Sequence, residues 1–205
     1  MTTLRESLQI PFQDSQWALK LFLGGLFLCL PVFNFFAIGY LVNYFAKFLR
    51  QEQISKLPGW SENIGSNFGR GIIVFFLFLI YLIAPAAILA LGVFLVVKHL
   101  SGILGIILII FSIILLLLIF VFFPLSVVNY LVENQISSAF HIRKIYDDLQ
   151  PIFKDYLKIY FAMWAINILV SGSPFFLFYI SLGCSREMGK IFAGVIDTSV
   201  KPDVS

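Results

Sequence analysis

Charge is scarce in this chain, and its distribution matters more than its amount. Charged residues make up 12% of the 205 residues, where a soluble domain carries about a quarter. None lies between Arg70 and Lys98, and none between Lys98 and Glu133. Hydrophobic residues reach 60% and the mean hydropathy is +0.97. These values exclude an ordinary soluble domain. The formal charge of +3 is small, and the basic residues are split among the flanks of the apolar runs. They mark the sides of a membrane better than they mark a nucleic-acid surface, so no nucleic-acid partner is expected.

Reactive side chains are scarce as well. Cys29 and Cys184 are the two cysteines. They lie in or beside apolar segments without metal-ligand spacing and read as small hydrophobes rather than as a disulfide or a reactive thiol. There is no His-Glu-x-x-His, no Cys-x-x-Cys and no phosphate-cradling glycine loop. Proton relays, coupled carriers and ion pumps keep a paired acid or base inside the bundle. Here the apolar segments hold no such group, and His99 falls in a turn between two of them. Ser171-Gly172-Ser173 invites comparison with a serine hydrolase, but His99 and His141 are far from it in sequence and neither lies within an apolar helix to ligate a porphyrin. The expectation is a protein that is not an enzyme, with no catalytic residue, cofactor or metal.

What the sequence does have is length in its apolar runs. Residues 71–97 and 103–128 are each long enough, at roughly 1.5 Å per residue, to cross a hydrocarbon core of about 30 Å. The link at 98–102 is too short for anything but a tight turn, so the pair reads as a transmembrane helical hairpin. Segment 21–46 holds Gly24-Gly25, Pro31, Asn34 and Asn43, with a kink or break expected at Pro31. Segment 159–183 is interrupted by Ser171-Gly172-Ser173-Pro174, a concentrated turn signal. Pro85 interrupts the first spanning run and Pro124 falls near the end of the second. The connection 133–158 is amphipathic, with Ile145, Leu149, Ile152, Phe153, Tyr156 and Tyr160 on one side and charges on the other. It lies in the interface plane or docks on the protein's own helices, and Pro151 begins a new helix.

At the start of the chain Asp14 or Ser15 can cap a helix, while Trp17, Lys20 and later Trp60 suit the headgroup level. Arg5, Glu6 and Asp14 and the length of the run that follows do not fit a cleaved signal. Leu41-Val42-Asn43-Tyr44 and Val127-Val128-Asn129-Tyr130 form a weak internal echo, each followed by a polar connection and a segment broken at Pro85 or Pro174. Duplication and chance account for it equally well.

Two topologies compete. If all four apolar segments cross, Lys and Arg divide almost evenly between the sides. If the first and last dip in and return, folding at 31–34 and 171–174, thirteen of the fourteen Lys and Arg lie inside and Lys98 alone lies outside. The positive-inside rule favours the second, with both termini cytoplasmic. Its cost is irregular backbone at membrane depth, tolerated only where protein or trapped water covers it. Asn34, Asn43, Asn129 and Asn167 need partners in an apolar setting. They bond across helices or to carbonyls freed by the prolines, or they line a polar cavity as in carriers.

The order Pro11-Phe12-x-Asp14-x-x-Trp17-x-x-Lys20-x-x-x-Gly24-Gly25, then Pro31-x-x-Asn34-Phe35, Gly39-Tyr40, and Leu57-Pro58-x-Trp60 with Phe68 resembles a prokaryotic polytopic membrane family catalogued only as a domain of unknown function. The resemblance implies an inner-membrane protein of about this length and carries no activity or catalytic residue. Asn43 stands where that pattern leads one to expect a basic residue.

The expectation is therefore one membrane domain over residues 1–205, an all-α integral membrane protein. A central two-helix transmembrane hairpin is flanked by two proline-broken segments, re-entrant or kinked and spanning, with an amphipathic interfacial helix. Pro31, Asn34, Asn43, Pro85, Asn129, Asn167, Ser171, Ser173 and Pro174 are the candidate polar or helix-break positions. The expected role is a non-enzymatic accessory or organising component whose partners are the lipid bilayer and other membrane subunits or a second copy. The alternative is a small transporter or channel subunit.

Overall fold

The computed structural model describes residues 4–52, 54, 56–169 and 173–194. Among the described residues all regular structure is helical. Helix α1 is Leu4–Gln9, α2 Trp17–Cys29, α3 Asn34–Leu49, α4 Ile64–Val97, α5 Gly102–Glu133, α6 Ile142–Leu149, α7 Phe153–Leu169 and α8 Pro174–Ala193, with single 3-10 turns at Ile10–Gln13, Ile136–Phe140 and Gln150–Ile152.

The long apolar runs form the two longest helices, α4 and α5, joined as the tight link requires. His99 closes α4 in the left-handed region at φ 52°. Its N–H donates to Val96 O at 3.1 Å and that of Leu100 to Leu95 O at 3.2 Å, so the last carbonyls are capped by a Schellman turn. The same device ends α3, where Gln51 (φ 58°) and Glu52 donate back to Phe48 O and Lys47 O. Pro85 does not break α4. The helix runs straight through it, and through Pro124 in α5. A proline removes one backbone donor, a loss that packing against a neighbouring helix can absorb. Pro85 is buried against α5, and Ser112 Oγ donates to its carbonyl at 2.8 Å.

Between residues 80 and 120 the buried positions are Pro85, Gly92, Gly105 and Ser112. Pro85 and Gly92 are seven residues apart, as are Gly105 and Ser112. A seven-residue spacing keeps a seam on one side of each helix. A Cβ on Gly105 would stand 2.7 Å from Gly92 O, so only glycine lets the two backbones approach this closely. Everything else on this stretch is half-buried or exposed, from Ile83 and Phe94 to Ile103 and Leu117.

Pro31 does break its segment. Helix α2 ends at Cys29, residues 30–33 turn, and Asn34 opens α3, its N–H bonded to Leu30 O at 2.8 Å. Near the end of the chain α7 stops at Leu169 and Pro174 opens α8. Contacts fix the directions. Gly39 meets Asn67 and Gly71 meets Phe35, so α3 runs antiparallel to α4. Gly24 and Gly25 of α2 press on Phe178 and Phe175 of α8, and Gly189 of α8 presses on Phe45 and Phe48 of α3. Tyr156 of α7 meets Phe192 of α8. The result is three up-and-down pairs, α2/α3, α4/α5 and α7/α8. The turn of the first and the start of α8 lie side by side, toward the exposed half of the hairpin.

The main core gathers Val74 and Leu77 of α4, Leu125, Val128 and Leu131 of α5, and Leu149, Tyr156, Met188 and Phe192. Ile145 and Leu149 are buried in it, so the amphipathic connection docks on the protein's own helices. It is divided into a 3-10 turn, α6, a second 3-10 turn holding Pro151, and α7. Phe153, expected on the inner side, is 45% exposed. The echo around Asn43 and Asn129 falls on unlike helices: α5 is unbroken and twice the length of α3.

Candidate functional site: helix breaks and polar seams

The candidate polar and break positions do not converge on one pocket. Asn43 belongs to a polar seam between α3 and α4. Arg70 Nη1 donates to Asn43 Oδ1, and Asn43 Nδ2 donates to Asn67 Oδ1. Asn67 in turn donates to Glu62 O at 3.4 Å. A neutral amide here receives the guanidinium, which a basic residue at position 43 would repel. Asn129 is 2% exposed, its Nδ2 has no partner among the described residues, and its backbone carbonyl accepts from Ser138 Oγ at 3.0 Å. The buried Oδ1 of Asn34, beside the Pro31 turn, likewise has no partner among the described residues. Among the described residues Asn34, Asn43 and Asn129 make no hydrogen bond to one another.

The Asn167 side chain and Ser171 lie outside the described residues. Ser173 is the extended residue before α8, and its carbonyl accepts from Leu177 N at 3.1 Å. Pro174 occupies the first turn of α8, where its missing N–H costs nothing. Pro31 is exposed in its turn, and Pro85 is a seam residue rather than a break.

The residues behind the family resemblance do assemble. Lys20 Nζ donates to Asp14 Oδ2 at 2.7 Å and to Leu57 O at 2.7 Å, and Asp14 Oδ1 accepts from Gln16 N at 2.8 Å. The Lys20 hydrogen bond holds the Asp14 carboxyl below its usual range despite burial. Lys20 therefore locks α2 to the loop before α4 instead of reaching for headgroups. Trp60 is drawn inward too. It stacks on Tyr40 at 4.3 Å and on Phe178 at 5.7 Å, and Nε1 donates to Lys20 O at 3.2 Å. Tyr40 Oη donates to Pro58 O at 2.9 Å.

Sequence reasoning missed a further polar pair and a cation over an aromatic ring. Ser7 Oγ donates to Glu187 Oε1, joining α1 to α8 across most of the chain, and both residues are buried. No local pattern foretells a contact at that separation. Arg186 lies over the Phe48 ring at 5.6 Å, and its Nε and Nη1 have no hydrogen-bond partner among the described residues. Asp148 Oδ2 on α6 has none among them either, and burial pushes the Asp148 pKa upward.

The arrangement is that of an all-helical protein with two long apolar helices, braced at one end by shorter helix pairs and internal polar locks. The chain belongs to the family described as Protein of unknown function (DUF4013), whose sequence model matches residues 22–179. No curated protein and no solved structure matches it.

Proposed function

We propose that this chain is a non-enzymatic, multi-pass component of a prokaryotic inner membrane, anchored by one full hairpin and wedged into the leaflet nearest its polar loops. The observation that carries the reading is a difference in reach. The free part of the hairpin, 80–97 and 103–120, is about 27 Å long at roughly 1.5 Å per residue, close to the hydrocarbon thickness of about 30 Å. It is apolar on every side, and a helix with that surface belongs in lipid when no protein covers it. The α2/α3 and α7/α8 pairs are built of shorter helices than α4 and α5. Their ends present Leu30, Val32 and Phe33, and Phe176 and Leu177, all exposed.

In this reading the short pairs enter one leaflet and return, which keeps their irregular backbone near the headgroups. Both termini and the polar connections then share the cytoplasmic side, and Lys98 alone among the Lys and Arg lies across the bilayer. Exposed Ile142, Tyr146 and Phe153, beside Arg143, Lys144 and Lys154, suit contact with anionic headgroups. The partners are the bilayer itself and, through it, other membrane subunits or a second copy.

The test is reconstitution of the full chain at rising density into large vesicles of phosphatidylethanolamine and phosphatidylglycerol, imaged by cryo-electron microscopy. Vesicles should narrow or tubulate with the wild type and keep their shape with the triple variant Leu30→Ser, Val32→Ser, Phe33→Ser. Unchanged vesicles that leak a trapped solute only when the protein is present would overturn the proposal in favour of the transporter or channel reading.

A further inference from the structure

A groove of about 260 Å³ runs between α3, α4, α5, α7 and α8. Among the described residues its lining carries no charged one. Val42, Val74 and Met188 are buried in its floor, while Phe123 and Pro124 of α5 and Met163 of α7 are half-buried at its rim. Tyr156 Oη of α7 donates to Val121 O of α5, and one to two turns later Tyr160 and Met163 line the groove. Met163 and Met188, the only methionines besides Met1, both face it. Unbranched thioether side chains adapt to ligands of variable shape and recur at permissive apolar sites.

We infer that this groove takes one acyl chain of a bilayer lipid, an assignment that rests on the membrane reading above. Lining atoms that face a void forfeit their dispersion contacts. An apolar cavity of roughly 150 Å³ already stays dry and admits benzene. The groove exceeds that size, yet its volume is less than that of one turn of a partner helix, about 10 Å across and 5.4 Å in pitch. The absence of charge in the lining means that the chain is recognised and the headgroup is not. Different headgroups on the same chain bind alike.

The experiment uses the full-length protein in vesicles containing phosphatidylcholine with a diazirine on its acyl chain, irradiated and mapped by mass spectrometry. Cys184 and Met188 are 3% and 7% exposed, beyond the reach of lipid that merely surrounds the protein. Adducts on both, together with adducts on exposed Ile106 and Ile110, are the expected result, and phosphatidylglycerol with the same chain should give the same map. Filling the rim with Met163→Trp should lower the Cys184 and Met188 adducts severalfold and leave those on the hairpin unchanged. Adducts on the hairpin but none at Cys184 or Met188 would overturn the groove assignment alone. A hairpin without adducts would overturn the membrane reading and the assignment with it.

Discussion

Lys20 carries more of the fold than its position at the edge of an apolar segment implies. It neutralises Asp14, which is 4% exposed, and ties Leu57 to α2. Replacing Lys20 leaves the Asp14 carboxylate without its charged hydrogen bond, a loss of about 1–3 kcal/mol. Lys20→Met should therefore lower the melting temperature of the detergent-purified protein sharply, and Lys20→Arg much less. The pH dependence has a definite sign. The folded pKa of Asp14 lies below its ordinary 3.8, so its contribution is complete above that value and is lost as pH falls through the lower folded one. Melting temperature measured from pH 6 to pH 3 should drop less steeply in Asp14→Asn than in the wild type. Asp148 has the opposite sign, because burial raises its pKa, and Asp148→Asn should raise the melting temperature at pH 7. The sequence placed Asp14, Lys20 and Trp60 on a pattern, but it could not say that they meet. Headgroup preference is a property of a single side chain, whereas this lock closes through residues 37 positions apart.

At the scale of elements the tip of the hairpin was legible almost to the residue, because an uncharged run of that length permits little else, while α4 begins seven residues before its apolar run and α5 ends five residues after its own. Pro85 was not. Proline chemistry alone predicts a break, and the partner helix that absorbs the lost donor is invisible to local reasoning. The small-residue seam was present in the sequence as a seven-residue spacing on each helix and went unread against a uniformly apolar background. Gly105→Leu would drive side-chain atoms into Val96 and the Gly92 carbonyl, which stand 2.6 and 2.7 Å from the Cβ position. Such overpacking should cost about 1–3 kcal/mol, read as a lower melting temperature of the detergent-purified protein. At the hairpin tip His99 holds a conformation that costs an L-residue about 1 kcal/mol, so His99→Gly should stabilise by about that amount in thermal melts.

For the whole molecule the sequence left two topologies open, since counting Lys and Arg weighs sides without fixing helix direction. Helix α2 runs antiparallel to α8, α3 antiparallel to α4 and α7 antiparallel to α8, so the polar connections gather at one end of the bundle and 98–102 at the other. The direct test is cysteine accessibility in sealed vesicles, in a Cys29→Ala, Cys184→Ala background. Ser15, Ser61 and Ser137 are exposed, and a Cβ on Gly102 meets open space. Cysteines at the first three should react with an impermeant maleimide from one side, and a cysteine at Gly102 only from the other. Labelling of Ser15→Cys and Ser61→Cys from opposite sides would contradict the returning helix pair and the wedge built on it.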